Sequence, residues 1–285
     1  MKLNPLRNIL AFYLVAQFLG LFVGVYLVQA AVVYPEFQEL NVAPGGDSGS
    51  VMNSALFLVY VLVGAVVMIL VLKFYKGDLL FKLLEAGTLF IASNIVFFVI
   101  FAALGIPFEW VLALLVSAAV SIVKFFTPKL KNAAAILASA GVGAVFGFSL
   151  DIVPALVFVV GLSAYDFLSV FWTGHMVYMA KELGKKNLAF SVAATEEVRG
   201  AKGKPERSTL ELGTGDMVIP LMLAVSAYKI SYSPVDSLAV LFGGMTGLFL
   251  VLWYVTSRKT FLPALPPITA CALACLGLVK LLIPG

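Results

Sequence analysis

Apolar runs of about 20 residues recur along nearly the whole chain, and they leave it few ways to fold. A helix that spans a membrane needs about 20 mostly apolar residues. Nine segments qualify, near 9–34, 54–73, 84–105, 109–127, 132–150, 152–173, 212–231, 237–257 and 262–283. Composition agrees: 62% of residues are hydrophobic, 12% are charged, and the mean hydropathy is +1.05. A soluble domain is closer to half apolar and a quarter charged. The expected fold is an all-α polytopic membrane protein with nine transmembrane helices. The first run follows Lys2 and Arg7 and extends about 25 residues, too long for the apolar region of a signal peptide. It reads as the first spanning helix.

Basic residues set the orientation, because they accumulate in cytoplasmic connections. Here they fall on alternate ones: Lys2 and Arg7; Lys73, Lys76 and Lys82; Lys124, Lys129 and Lys131; Lys181, Lys185, Lys186, Arg199, Lys202, Lys204 and Arg207; then Arg258 and Lys259. That places 17 of the 19 basic residues on one side and leaves Lys229 and Lys280 on the other. The opposite connections hold Glu36, Glu39, Asp47, Glu109, Asp151 and Asp236. The N-terminus is therefore expected inside and the C-terminus outside. The net charge of +4 belongs to these loops and does not imply nucleic-acid binding.

The longest connection divides the chain. Residues 1–181 hold the first six helices, 182–210 form a cytoplasmic hydrophilic loop with the linker-like "EEVRGAKGKPERS", and 211–285 hold the last three, all within one membrane domain. From Asp151 to Lys181 is 30 residues, about 45 Å as a helix, longer than a core of about 30 Å. A break is expected near Thr173-Gly174, with "HMVYMAKELGKK" beyond it as an amphipathic or disordered piece near the inner interface. Gly143 with Gly147, and Gly243 with Gly247, have the spacing that lets helices approach closely. Cys271 and Cys275 share one apolar segment and read as small apolar fillers. His175 is the only histidine and lies just past the sixth helix, an interfacial site.

A charge inside a spanning segment is costly and marks function by default. Lys82, Glu85, Lys124 and Lys229 lie near helix ends and are expected to reach water. Asp166, in "GLSAYDFLSVFW", and Asp216, about one turn inside the seventh segment, are the exceptions. Two carboxyls close together in a low dielectric share a proton. One can activate water as a base while the other donates to a substrate carbonyl, the chemistry of aspartic peptide hydrolysis. Gly213 and Gly215 allow the backbone beside Asp216 to unwind. Pro263, Pro266 and Pro267 break the start of the last helix. Plainer readings remain: glycines that start a helix, aspartates paired with basic residues, and proline at an ordinary helix N-terminus. An ion-coupled transporter or channel also uses buried carboxylates and unwound helices.

Taken together, Tyr165-Asp166, Gly213-Thr214-Gly215-Asp216 and Pro263-Ala264-Leu265 resemble the presenilin family of intramembrane aspartyl proteases. That family has YD in the sixth helix, GxGD in the seventh and PAL at the ninth, the order found here. The resemblance covers the whole nine-helix layout. It implies that Asp166 and Asp216 are catalytic, that Tyr165, Gly213, Thr214, Gly215, Pro263, Ala264 and Leu265 shape the site or bind substrate, and that no metal or cofactor is required. "PALPP" without a preceding glutamine, and the N-in orientation, are more like presenilin than signal peptide peptidase. Thr214 departs from the usual leucine. The short chain and short loop look like those of a microbial, archaeal homologue working in the cell membrane on transmembrane-helix protein substrates, without accessory subunits. A homo-oligomer is compatible with these features.

Overall fold

The structure is a computed structural model that describes residues 4–75, 77–184, 188–199, 205–258 and 262–282. Ten helices and one hairpin follow in order: α1 (Asn4–Val33), α2 (Val51–Phe74), α3 (Leu79–Ala103), α4 (Glu109–Phe126), α5 (Lys131–Ser149), α6 (Ile152–Phe171), α7 (His175–Gly184), β1 (Ser191–Arg199), β2 (Pro205–Gly213), α8 (Gly215–Ser231), α9 (Pro234–Arg258) and α10 (Leu265–Leu282). Eight of these helices are long and apolar enough to cross a membrane. The chain is an integral membrane protein of mostly helical structure.

The centre of the bundle is α8. Every residue from Met217 to Tyr228 is buried, as expected of a helix that is apolar on all sides. It packs against α1, α5, α6 and α9. Glycines make that closeness possible. Gly20 and Gly24 of α1 and Gly143 and Gly147 of α5 lie directly against Leu221, Met222 or Val225 of α8. Ser226 Oγ donates to the Gly147 carbonyl at 3.2 Å, and Ser237 Oγ of α9 donates to Ala224 at 2.9 Å. By contrast, α2 has only Asn53, Ser54 and Phe57 buried, and much of the rest is the surface that lipid would cover.

Gly243 and Gly247 serve the α9–α10 contact. A Cβ on Gly247 would lie 2.6 Å from the Pro267 carbonyl oxygen and from Ile268 Cα. Backbone cannot yield as a side chain does. Gly247→Leu should therefore push α10 away, with overpacking costing about 1–3 kcal/mol. A thermal melt in detergent checks this, and an unchanged midpoint would contradict the packing.

The two basic residues on the acidic side are each neutralised locally. Lys229 Nζ lies 2.7 Å from Asp151 Oδ1, and Lys280 Nζ lies 2.6 Å from Asp236 Oδ2. Glu85 and Lys124 correct the sequence reading. Both are buried and form an ion pair with each other across α3 and α4. Their opposite charges satisfy one another, which permits burial that a lone charge would not.

The break after the sixth spanning helix is where the length argument puts it. Helix α6 ends at Phe171, Gly174 has φ of +66°, and α7 begins at His175. The following segment departs from the loop expected there. Ser191–Arg199 and Pro205–Gly213 pair as an antiparallel hairpin, from Ser191 opposite Gly213 to Arg199 opposite Pro205. Val192, Ala194 and Leu212 are buried beside residues of α1 and α5 such as Ile9 and Ala135. This tertiary contact, rather than strand propensity, supports an isolated two-stranded sheet. Lys2, Lys76, Lys185, Lys186, Lys202, Lys204, Lys259 and Phe261 lie outside the described residues.

Candidate active site

Asp166 faces inward from α6 and is 2% exposed. Its Oδ2 accepts the backbone N–H of Leu265 at 3.2 Å. That donor has a simple origin. The first N–H groups of a helix have no partner within it, and Leu265 opens α10. Pro266 and Pro267, next in sequence, have no N–H. The start of α10 therefore presents Leu265 N–H to the carboxylate, at the helix end where negative charge is best placed. A second link between α6 and α10 joins Ser163 Oγ and Thr269 Oγ1 at 3.0 Å.

Asp216 is the second residue of α8 and lies in its first turn. Its carboxylate lies beside Gly213, and the two aspartate carboxyls stand within electrostatic reach of each other. A Cβ on Gly213 would lie 3.3 Å from Asp216 Oδ2, tighter than ordinary contact. Glycine keeps this approach open. Gly213 also ends β2, so the GxGD segment is the joint between a strand and a helix. Thr214 ties that joint to the root of β1: its N–H and its hydroxyl both donate to the Phe190 carbonyl, at 3.0 and 3.2 Å. One turn along α8, Pro220 has no N–H to give the Asp216 carbonyl.

The other motif residues divide. Leu265 and Pro263 are buried and Ala264 is half-buried, all at the entry to α10. Tyr165 is tied to the start of α7: its hydroxyl lies 2.8 Å from His175 Nε2, across the α6–α7 break. The described ion pairs join Lys124 to Glu85, Lys131 to Glu211, Lys229 to Asp151 and Lys280 to Asp236. Neither Asp166 nor Asp216 has a basic partner among the described residues. The plainer reading of each aspartate as half of an ion pair therefore finds no support there.

The sequence reading missed three supports. Gln17 of α1 donates to the Met217 carbonyl at 2.7 Å. Asn132 of α5 grips β1 at both backbone atoms of Ala193, at 2.8 and 2.9 Å. Glu85 accepts the Ala189 N–H, just before Phe190. A polar residue inside an apolar segment signals each of them, but its partner is remote in sequence.

Helices packed around two carboxyls within electrostatic reach, Asp166 buried and Asp216 half-buried, define a class, the polytopic membrane protein with an acidic centre, and solved structures narrow it. A presenilin family intramembrane aspartate protease in the C222 space group matches with a TM-score of 0.68 and 24% identity, over 96% of this chain and 99% of that one. A second such structure, in the P2 space group, matches with a TM-score of 0.62 and 24% identity, over 94% and 96%. These likenesses establish the fold. A comparison with curated proteins found no match. The family described as signal-peptide peptidase, presenilin aspartyl protease matches residues 19–283. The chain belongs to that family and is an aspartic endopeptidase of the presenilin type, which disfavours the transporter reading.

Proposed function

We propose that Asp166 and Asp216 are the catalytic pair and hydrolyse peptide bonds inside the transmembrane helices of other membrane proteins. The observation that carries this is the hydrogen bond from Leu265 to Asp166, which brings the PAL segment onto a carboxylate within electrostatic reach of Asp216. One carboxyl, ionised, takes a proton from water, whose oxygen attacks the scissile carbonyl carbon. The other, protonated, gives its proton to the carbonyl oxygen. The resulting diol collapses as the amine leaves with a proton from the pair. With one shared proton, rate against pH should be bell-shaped, with both limbs belonging to the pair.

The bond must first be exposed, because a membrane helix shields its own carbonyls. We assign the unwound substrate to the outer edge of β2, as an added strand. Three features support this edge. Asn132 already occupies the outer edge of β1 at Ala193. Alternation along an antiparallel pair turns the backbone groups of Thr209, Glu211 and Gly213 outward from β2, since those of Ala193, opposite Glu211, face Asn132. And β2 ends at Gly213, beside Asp216, so a strand there leads into the pair. Thr214, Gly215, Pro263 and Ala264 then flank the substrate, with Tyr165 held at one side by His175.

The proposal includes nine spanning helices, with α8 as the ninth beside the eight longer ones, the N-terminus inside and the C-terminus outside. The parts are 1–181, 182–210 and 211–285, within one membrane domain of the cell membrane, acting without accessory subunits. The test is hydrolysis of a purified single-span substrate in detergent, without metal ions or ATP, over pH 4 to 9. A bell-shaped profile is expected. Hydrolysis that rises or falls on one limb alone contradicts the shared proton, and no hydrolysis at any pH contradicts the assignment.

A further inference from the structure

The Glu85–Lys124 pair is the only described ion pair with both partners buried, and the hydrolytic mechanism does not use it. Its carboxylate makes a second bond. Glu85 Oε1 accepts both the Lys124 ammonium and the Ala189 N–H. Ala189 is buried and precedes Phe190, whose carbonyl accepts two hydrogen bonds from Thr214. Thr214 leads directly into Gly215 and Asp216. A continuous chain therefore runs from α3 and α4 through the root of β1 to the first turn of α8.

Packing makes that chain matter. Between α3, α5 and the start of α8 lies a cavity of about 250 Å³, lined by Glu85, Ser139, Ala189, Phe190, Thr214 and Gly215 among others. Across a cavity, side chains do not hold one another in place. On this side the restraint on the GxGD segment passes along the cavity wall, through Glu85, Ala189 and Phe190.

We propose that Glu85 is a positioning residue for hydrolysis: by holding the Ala189 amide, it sets where β1 begins and so where Thr214 seats the Asp216 carboxylate. This rests on the reading of Asp216 as catalytic. Lys124 is the counter-charge beside which Glu85 is buried within the bundle. Only the acceptor oxygen is required for positioning; the charge is not.

That distinction gives the test. Removing either charge alone strands the other, which is destabilising whatever Glu85 does. Two double variants avoid this. Glu85→Gln/Lys124→Met removes both charges and keeps an acceptor for Ala189. Glu85→Met/Lys124→Met removes both charges and the acceptor, with side chains of similar volume, a replacement that often leaves a fold as stable. The wild type and both variants are assayed on one single-span substrate for kcat and KM, and titrated with a peptide carrying a hydroxyl isostere of the scissile bond, which both carboxyls must grip. Thermal midpoints in detergent are read alongside.

The variant retaining the acceptor should keep kcat within about threefold of wild type. The variant lacking it should lose about 10- to 100-fold in kcat and about as much in isostere affinity, with KM within about threefold and a midpoint equal to the other variant's. Equal kcat in the two variants would overturn the proposal. So would parallel losses in kcat and midpoint, which mark general loosening. If the variant lacking the acceptor does not fold, Glu85→Gln/Lys124→Met and Thr214→Val decide. The first should keep most of kcat, and the second should lose it severalfold without a change in KM; the reverse order overturns the proposal. A wild-type protein that does not hydrolyse the substrate removes the reading of Asp216 instead, so the two failures are distinct.

Discussion

Asparagine at either Asp166 or Asp216 should reduce hydrolysis by about four orders of magnitude or more, and the double variant should be little worse than either single one. The size follows from role: general acid–base groups contribute about 10²–10⁴-fold each, and groups that act as a unit are far from additive. Asparagine is nearly the shape of aspartate. At position 166 its amide oxygen can still accept the Leu265 N–H, so the bundle and the substrate edge persist. The amide can neither deprotonate water nor pass on a proton. Binding of the substrate should remain within about threefold of wild type, measured by crosslinking or anisotropy on the variants. Substantial turnover by either single variant contradicts a paired mechanism.

The second large effect should come from a backbone atom. Leu265 N–H is the one described hydrogen-bond donor to the Asp166 carboxylate, and proline at position 265 deletes it. The site tolerates the substitution otherwise. Proline suits the first position of a helix, and Leu265 is already followed by two prolines. Leucine's buried side chain is also lost, so Leu265→Ala is the control: it leaves a smaller side chain and keeps the N–H. A hydrogen bond to a charged group is worth about 1.5–3 kcal/mol, so Leu265→Pro should fall about 10- to 100-fold below Leu265→Ala in kcat. Equal rates would show that the hydrogen bond does not serve the reaction.

How much of this was legible in the sequence depended on distance along the chain. Apolar run length is local, so the spanning segments were readable to within a few residues. The break at Thr173-Gly174 followed from length alone, since no membrane core holds a 45 Å helix upright. The two aspartates stood out because the apolar residues around them made their charge costly. The hairpin did not stand out. Its strands are rich in polar residues, and they form because Val192, Ala194 and Leu212 find a surface on α1 and α5. Glu85 and Lys124 were misread for a related reason: each lies near a helix end, and only the packing of α3 on α4 joins them. Tyr165 carried a motif position, yet the break after α6 brings His175 back onto its hydroxyl. Side chains whose partners lie 39 or more residues away, as Glu85 and Lys124 do, leave no periodic trace.

The most direct test of the central claim is the mass of the products. A purified single-span substrate, incubated with wild type and with Asp216→Asn, is analysed by mass spectrometry for new termini. The account predicts complementary fragments whose junction lies within the substrate's apolar span, formed by wild type and absent with Asp216→Asn. Fragments that end only in the polar flanks, or that form equally with Asp216→Asn, would contradict it.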